Sequence, residues 1–397
     1  TGPLHFGNAR GGPIGDTLAA VLEFCGWEVM REYINNDEGN QIAELGKTLA
    51  ARAGLIEATE EELTYKGEYT KELGAEVKKK VKAEGKSAEE IITEAGRIGV
   101  ELLFDEIIND CEAMGIKFDN IVSESKLREN VPEILKDFEA KGLLKKKDGA
   151  VWFAPKNEFL EDREAVVVKS DGNYTYFTAD IVYHKEKFES GYELVVDVFG
   201  SNTSGHVPKL QALAVVLGFD LEKFKVILYQ FVRIKRGAEV LKMSKRAGNF
   251  VTAKEVLDEV GRDALRFFIL MHDVNSHMDF DLSLAKQKNS KNPVFYVQYA
   301  HARISSILTK SQTPNSKTQK VDYGLLTTEH ELNLIKRVSK LPELVEDVSQ
   351  NFAVHALARY AIDLADTFHK FYENCPVIGA EEKLKQARLG LLAATQI

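Results

Sequence analysis

Apolar residues follow two rhythms along the chain. In residues 4–26, Ile14, Leu18, Val21 and Leu22 recur at helical spacing behind a glycine-bearing loop, and Gly26 is placed to stop the helix. Residues 28–35 (EVMREYIN) predict a strand, which makes this stretch half of a βαβ unit whose leading strand is expected before Thr1. The alternation resumes with AVVVKS at 165–170 and the turn Asp171-Gly172-Asn173. A helix in ADIVYHKEKF follows, then a strand over 193–200, a helix over 206–217 and a strand over 225–232. Such alternation predicts a parallel sheet covered on both faces. From about residue 253 everything reads as helical. Val297, Ala300, Ile304 and Ile307 share a face, as do Val354, Leu357, Ala361, Leu364, Phe368 and Phe371. Asn292 and Pro293 read as the cap and first position of a bundle's first long helix.

Residues 55–148 differ in character, being charged around KELGAEVKKKVKAEGKSAEEIITEAGR and closing on LLKKKDGAVWFAP, a hairpin with an Asp-Gly turn. The expected organisation is an α/β domain from residues 1–54 and 149–252, a subdomain inserted at 55–148, a helical segment over 253–290 and an all-helical bundle over 291–397. No internal repeat or low-complexity tract interrupts it.

Composition narrows the function. With 397 residues, 44% hydrophobic and 28% charged, the chain suits roughly two to four domains and excludes a disordered acidic tail. No apolar run reaches the roughly 18 residues of a membrane span, so no membrane contact and a cytoplasmic location are expected. The net charge of −9 argues against DNA or a general nucleic-acid coat. An RNA partner would need local basic surface. Residues 285–320 provide Lys286, Lys288, Lys291, Arg303, Lys310, Lys317 and Lys320 without one acid, and residues 225–246 hold seven basic residues against Glu239 alone. A solvated helix face would look the same. Tyr296 and Tyr299 could stack on bases or pack in a core. Cys25, Cys111 and Cys375 form no CxxC pair and read as small buried hydrophobes.

Two segments carry chemistry. His5-Phe6-Gly7-Asn8 opens a helix, where backbone N–H groups favour an anion, and a histidine and an amide can donate to phosphate without adding negative charge. The bland reading is a helix capped at Asn8. Leu241-Lys242-Met243-Ser244-Lys245-Arg246-Ala247-Gly248-Asn249-Phe250 is a basic loop after the last predicted parallel strand, on the carboxyl edge where α/β sheets bind ligands. Other nucleotide and hydrolase patterns fail. Gly46-Lys47-Thr48 would end a P-loop only with glycine where Gln41 stands, and neither HExxH nor GxSxG occurs.

HFGN followed by KMSKRAGN resembles the paired signatures of class I aminoacyl-tRNA synthetases. KMSKRAGNFVT, REYINNDEGNQI and NPVFYVQYAHARI extend the resemblance to arginyl-tRNA synthetases, over nearly the whole chain except 55–148. The resemblance implies a Rossmann-type catalytic domain followed by a helical anticodon-binding bundle, with 253–290 contacting the tRNA stem. Family members also carry an amino-terminal tRNA-binding domain, a first strand and further carboxyl-terminal helices, which are expected outside this sequence. It implies ATP-dependent activation of L-arginine and transfer to tRNA(Arg), with Mg2+ bound to ATP phosphates and no protein metal site, by a monomer. In this reading His5 and Asn8 hold the phosphates, Gly7 lets the nucleotide approach, and Lys242 and Lys245 clamp pyrophosphate with Met243 and Ser244 beside them.

Tyr176 and Asp180 match the family's arginine pocket, although Thr178 could instead cap a helix with Asp180 in its first turn. Asp37, among Asn36, Asn40 and Gln41, matches the stretch beside that pocket, and Gln230 is a polar residue in a strand that could face it. Gly200 and Asn202 fall where the nucleotide ribose is bound. There the family's Gly-Ala-Asp-His-His-Gly is replaced by Gly200-Ser201-Asn202-Thr203-Ser204-Gly205, an amide and a hydroxyl for an acid and a histidine. Lys286, Lys288, Lys291 and Arg303 become tRNA contacts. The competing readings are a small-molecule nucleotidyltransferase, which has no use for the helical half, and a non-catalytic tRNA-binding relative.

Overall fold

The computed structural model describes residues 1–160, 164–241, 250–311 and 321–396, grouped into two compact units. The chain opens with α1 (Phe6–Ala9) and α2 (Gly11–Phe24), and Gly26, at φ +92°, follows the helix as expected.

The first unit comprises Thr1–Gly12, Met30–Phe231 and Lys242–Lys254. Strand β1 (Glu32–Asn35) leads through α3 (Asn40–Arg52), α4 (Tyr69–Lys80) and α5 (Ala88–Ala113) to β2 (Asn120–Ser123), which pairs with β1 in parallel. The segment read as an insertion therefore contributes a strand to the parallel pairing. Its charge reports only the wet faces of its helices. Their inner faces bury Val77, Ile91, Ala95, Ile98 and Leu103 against Leu45 and Leu49 of α3. There the backbones meet so closely that a Cβ on Gly46 would lie 2.1 Å from the Ile92 carbonyl oxygen.

Next come α6 (Glu124–Glu129), α7 (Val131–Ala140) and the hairpin of β3 (Leu144–Lys147) and β4 (Ala150–Phe153). Asp148 and Gly149 take φ of 52° and 74°, the two left-handed residues that a tight hairpin turn requires. Strand β5 (Ala165–Val168) pairs antiparallel with β4. This corrects the expectation that AVVVKS enters the parallel sheet, because an apolar run encodes burial but not strand direction.

Helix α8 (Tyr176–Glu189) then precedes the unit β6 (Val195–Gly200), α9 (Val207–Val216), β7 (Phe224–Tyr229), whose strands pair in parallel from Val195 with Phe224 to Gly200 with Tyr229. Phe138, Phe153, Val167, Phe177, Ile181, Leu210 and Leu213 form the core among these elements.

The second unit comprises Pro13–Val29, Val232–Leu241 and Glu255–Ile397. Strands β8 (Val232–Arg236) and β9 (Glu239–Val240) form a hairpin, and β10 (Met278–Asp281) pairs with β8 in parallel. The stretch read as uniformly helical thus contains a strand between the helices α10 (Ala253–Val260), α11 (Arg262–Leu270) and α12 (Leu282–Ala285). Four residues of MDFD are too short for periodicity to distinguish from a loop.

The rest is α13 (Pro293–Lys310), α14 (Glu329–Ser339), α15 (Leu341–Asn351), α16 (His355–Asn374) and α17 (Glu382–Gln396). Asn292 caps α13 as expected. Its side chain accepts from Val294 N at 3.0 Å and donates to the Ala285 and Gln287 carbonyls at 2.9 Å each. Ile304, Ile307, Leu334, Phe368, Phe371 and Leu392 fill the bundle. Cys111 and Cys375 are buried, whereas Cys25 is exposed, contrary to its expected role as a small core residue: it follows α2 just past its last residue.

One buried ion cluster ties α8 to β6. Asp197 accepts from Lys187 Nζ at 2.8 Å, and its other oxygen lies 2.7 Å from His184 Nε2. The second His184 nitrogen lies 2.8 Å from the Asp180 carbonyl, so both ring nitrogens are engaged. Burial alone would push the Asp197 carboxyl up. Lys187 and His184 more than offset it and hold the group well below the usual carboxylate range.

Replacing Asp197 by Asn removes the carboxylate that Lys187 and His184 share and leaves the Lys187 ammonium without its partner, and is expected to cost about 3–5 kcal/mol in urea unfolding at neutral pH. Because the folded pKa is depressed, this contribution is complete above roughly pH 4 and is lost as pH falls toward the folded value. The gap between wild type and Asp197→Asn should therefore narrow in acid. Equal urea midpoints at pH 7 would remove the cluster from the stability of this unit.

Candidate active site

The start of the chain is held against the residues that follow the basic loop. Phe6 N donates to the Val251 carbonyl at 3.0 Å, Ala253 N donates to the Leu4 carbonyl at 2.8 Å, and His5 bridges Thr252 in antiparallel register. The His5 and Phe250 rings lie 5.7 Å apart. Lys242, Met243, Ser244 and Lys245 themselves lie outside the described residues. What is in place is the loop's downstream anchor, beside the imidazole.

His5 rather than Asn8 caps α1. Its Nδ1 accepts from Gly7 N at 2.9 Å, so the neutral ring carries its proton on Nε2 and donates from there. A Cβ on Gly7 would stand 3.0 Å from that Nδ1, so glycine leaves the ring its cap position. Asn8 is exposed. Its carbonyl accepts from the Tyr229 hydroxyl at 3.1 Å, at the carboxyl end of β7. The Tyr229 ring fills the space where a Cβ of Gly11 would stand, 2.7 Å from that ring, and lies 3.6 Å from a Cβ of Gly200 at the end of β6. Burial pushes the Tyr229 hydroxyl pKa up, with Arg10 opposing. Arg10 is fully buried and donates to the Gln230 carbonyl at 2.7 Å.

Gln230 follows β7 rather than lying in it, and this contact is through its main chain. Asn202 and Ser204 are exposed in the turn after β6, where the Thr203 hydroxyl donates to the Gly200 carbonyl at 2.7 Å. Tyr229 and Arg10 were missed by sequence reasoning, since an aromatic in a strand and a cation in a glycine-rich loop carry no pattern of their own.

A second cluster surrounds α8. The helix starts at Tyr176, so Thr178 cannot cap it; its hydroxyl instead donates to the Val167 carbonyl of β5. Asp180 sits one turn beyond Tyr176 and outside the first turn, which removes the capping explanation for this pair. Asp180 Oδ2 lies 3.2 Å from His206 Nδ1, and the carboxylate is 28% exposed.

Facing it is Glu124 of α6, 3% exposed, joined to Arg128 at 3.3 Å. Burial raises the Glu124 carboxyl, Arg128 opposes, and Asp180 and Glu38 add to the rise. Arg128 also reaches Glu38 at 3.4 Å. Gly39, at φ +102°, brings the backbone beside Tyr176 and Arg128: a Cβ there would lie 3.7 Å from the Tyr176 hydroxyl and 3.8 Å from Arg128 Nη2. Glu124 and Glu38 thus share one guanidinium beside the Tyr176 phenol, while Asp180 pairs with His206. Glu124, Arg128 and His206 were not foreseen, because an acid and a base in a charged helical stretch look like surface.

Asp37 does not join this group as expected. Its oxygens accept from Ser125 N at 2.8 Å, Ser125 Oγ at 2.9 Å and the Ser123 hydroxyl, which latches the end of β1 to the β2–α6 turn. A carboxylate already holding three donors is a structural clamp.

The expected RNA contacts belong to the second unit. Arg303 lies over the rings of Tyr299 and Tyr372, 4.6 and 4.3 Å from their centroids. Lys288 and Lys291 are exposed. Lys286 pairs with Glu259 at 3.2 Å, and the described cations of the earlier basic stretch are also matched: Lys225 by Glu222, Arg233 and Lys235 by Asp279, Arg236 by Glu259. The charge run misled because its neutralising acids lie outside the window. Among the described residues no group of three or more His, Cys, Asp or Glu could hold a metal ion, and no helix is long and apolar enough to cross a membrane.

Comparison with known proteins identifies the family. Residues 1–281 match the family described as tRNA synthetases class I (R), catalytic domain, and residues 297–397 match the DALR anticodon binding domain. An arginine–tRNA ligase of Carboxydothermus hydrogenoformans is 39% identical over 100% of this chain and 73% of its own length. One of Geobacter sp. strain M21 is 41% identical with the same coverage of both chains. The Thermus thermophilus arginyl-tRNA synthetase structure, at 21% identity, shares the fold with a TM-score of 0.79 over 99% of this chain and 77% of that one. With one family model spanning its first 281 residues and such relatives matched along the whole of this chain, the chain belongs to the class I arginyl-tRNA synthetases.

Proposed function

We propose that the cluster around His5 and that around Asp180 are the nucleotide and amino-acid halves of one activation site. The activity is ATP-dependent charging of tRNA(Arg) with L-arginine. The pairing of residues 4–6 with residues 251–253 carries this reading, since it brings the HFGN turn to the base of the lysine loop.

The activation step needs no general base. The ionised α-carboxylate of arginine attacks the α-phosphorus of ATP, the bond to the β-phosphate oxygen breaks, and pyrophosphate leaves. A ribose hydroxyl of the tRNA terminus then takes the arginyl group and releases AMP. Catalysis is therefore positioning and charge stabilisation. In this assignment His5 Nε2 and the Asn8 amide donate to phosphate oxygens, and Gly7 admits them. Gly200 and Asn202 lie beside the ribose, where an amide replaces the family's acid. Lys242 and Lys245, with Met243 and Ser244, close over the departing pyrophosphate. Mg2+ enters with ATP on the phosphate oxygens.

Asp180 and Glu124 receive the guanidinium, with Tyr176 lining it. Asp37 steadies the turn that carries Glu124, and Gln230, whose carbonyl holds Arg10, belongs with the HFGN turn instead. Residues 291–397 serve as the anticodon-binding bundle, with Arg303 and the exposed Lys288 and Lys291 toward RNA, Lys286 being shared with Glu259. A monomer working in the cytoplasm completes the reading.

Removal of one preorganised donor, by His5→Ala or Lys245→Ala, is expected to slow arginine-dependent ATP–pyrophosphate exchange, assayed with tRNA present, by about a hundredfold to a thousandfold, without unfolding the chain. Turnover near wild type in either variant would withdraw that residue from the site. Asp180→Asn is expected to raise the KM for arginine by roughly a hundredfold to a few thousandfold, the equivalent of about 3–5 kcal/mol for a charge left without its partner, with little change for ATP. An unaltered arginine requirement would take Asp180 out of the pocket.

A further inference from the structure

The Asp180 carboxylate is already held on one side. The imidazole of His206 lies against one of its oxygens, Nδ1 to Oδ2 at 3.2 Å, while Oδ1 has no hydrogen-bond or ion-pair partner among the described residues. Two packed helices set this contact. Asp180 is on α8, and His206 stands where the 3-10 turn Ser201–His206 passes into α9. Phe177 and Ile181 of α8 share one buried core with Leu210 and Leu213 of α9. Lys209 of α9 lies over the Phe177 ring, 5.4 Å from its centroid. Around His206 the backbone has little freedom: Pro208 occupies the first turn of α9, Val207 N donates to the Ser204 carbonyl, and the Thr203 hydroxyl holds the Gly200 carbonyl.

The charges nearby give such a contact a use. Glu124 of α6 and Glu38 are joined to Arg128, and the Asp180 charge weighs on Glu124. Tyr176, one turn back on α8, adds a phenol rather than a cation. In an empty pocket the repulsion from Glu124 turns the Asp180 carboxylate away from it. An imidazole N–H donated to Oδ2 opposes that turn and leaves Oδ1 open to a second donor. Direction matters here because a guanidinium is planar and binds a carboxylate in one plane, whereas an ammonium is a point charge.

We propose that His206 is a positioning residue for arginine, donating from Nδ1 to hold the Asp180 carboxylate with Oδ1 toward the incoming guanidinium, an assignment that rests on Asp180 receiving arginine as given above. It moves no proton in the reaction and acts through Asp180. An ordinary surface ion pair between the same two side chains would bear on folding alone and leave arginine affinity where it is.

The test uses the full chain in arginine-dependent ATP–pyrophosphate exchange with tRNA(Arg) present. His206→Ala should raise the KM for arginine about threefold to tenfold, the range of one partly exposed hydrogen bond, with kcat and the KM for ATP unchanged. His206→Gln, whose amide still donates, should recover most of the loss. In an Asp180→Asn background His206→Ala should add little to the fall in kcat/KM for arginine, since the group it positions is already gone. An arginine KM unmoved by His206→Ala, a loss that His206→Gln leaves in full, or two substitutions whose effects simply multiply would each overturn the positioning role. An Asp180→Asn single variant with the wild-type arginine requirement would instead overturn the reading of the pocket itself, so the two failures are distinguishable.

Discussion

The backbone pairing between residues 4–6 and residues 251–253 is the constraint on which the placement of the HFGN turn depends. It closes a loop of about 245 residues, at an entropic cost on the order of 5 kcal/mol, while its two hydrogen bonds each contribute about 1 kcal/mol. The pairing cannot hold itself together. It is sustained by what lies between, above all the Tyr229 ring, packed where a side chain at Gly11 would stand, in contact distance of Gly200 and bonded to the Asn8 carbonyl. The HFGN turn is thereby fixed at the carboxyl ends of β6 and β7, where helix starts and unpaired strand ends leave polar backbone to meet a ligand.

Three aspartates show how neighbours divide one chemical group among different tasks. Asp197 is buried between two cations and holds α8 to β6. Asp37 is filled by serine donors and clamps a turn. Asp180 keeps partial exposure and one long contact to His206, and shares its surroundings with Glu124 and Tyr176. A carboxylate surrounded by fixed donors is structural; one left beside other carboxylates is held at an electrostatic cost that a cationic ligand relieves. The cluster behind α8 also bears on Asp180, because His184 lies against the Asp180 carbonyl and steadies that turn of the helix.

The charge pattern makes the same point on the RNA side. A sequence window counts cations along the chain, but neutralisation occurs through space. Glu259 silences both Arg236 and Lys286, and Asp279 matches Arg233 and Lys235.

Much was legible without coordinates where the physics is local. Helical spacing placed the bundle faces of α13 and α16, Asn292-Pro293 marked a helix start, Asp148-Gly149 a tight turn and Gly26 a helix stop, because each depends on the geometry of a few adjacent residues. The HFGN and KMSK strings identified the family for a related reason, since a phosphate-binding turn needs particular residues at fixed short spacing. Tertiary structure alone decided that β5 runs antiparallel, that the charged segment supplies β2, that Asp37 is a clamp, and that Glu124, Arg128 and His206 stand around Asp180. Those outcomes turn on which distant surfaces meet, and a side chain's own sequence neighbourhood holds no record of the partners that folding brings to it.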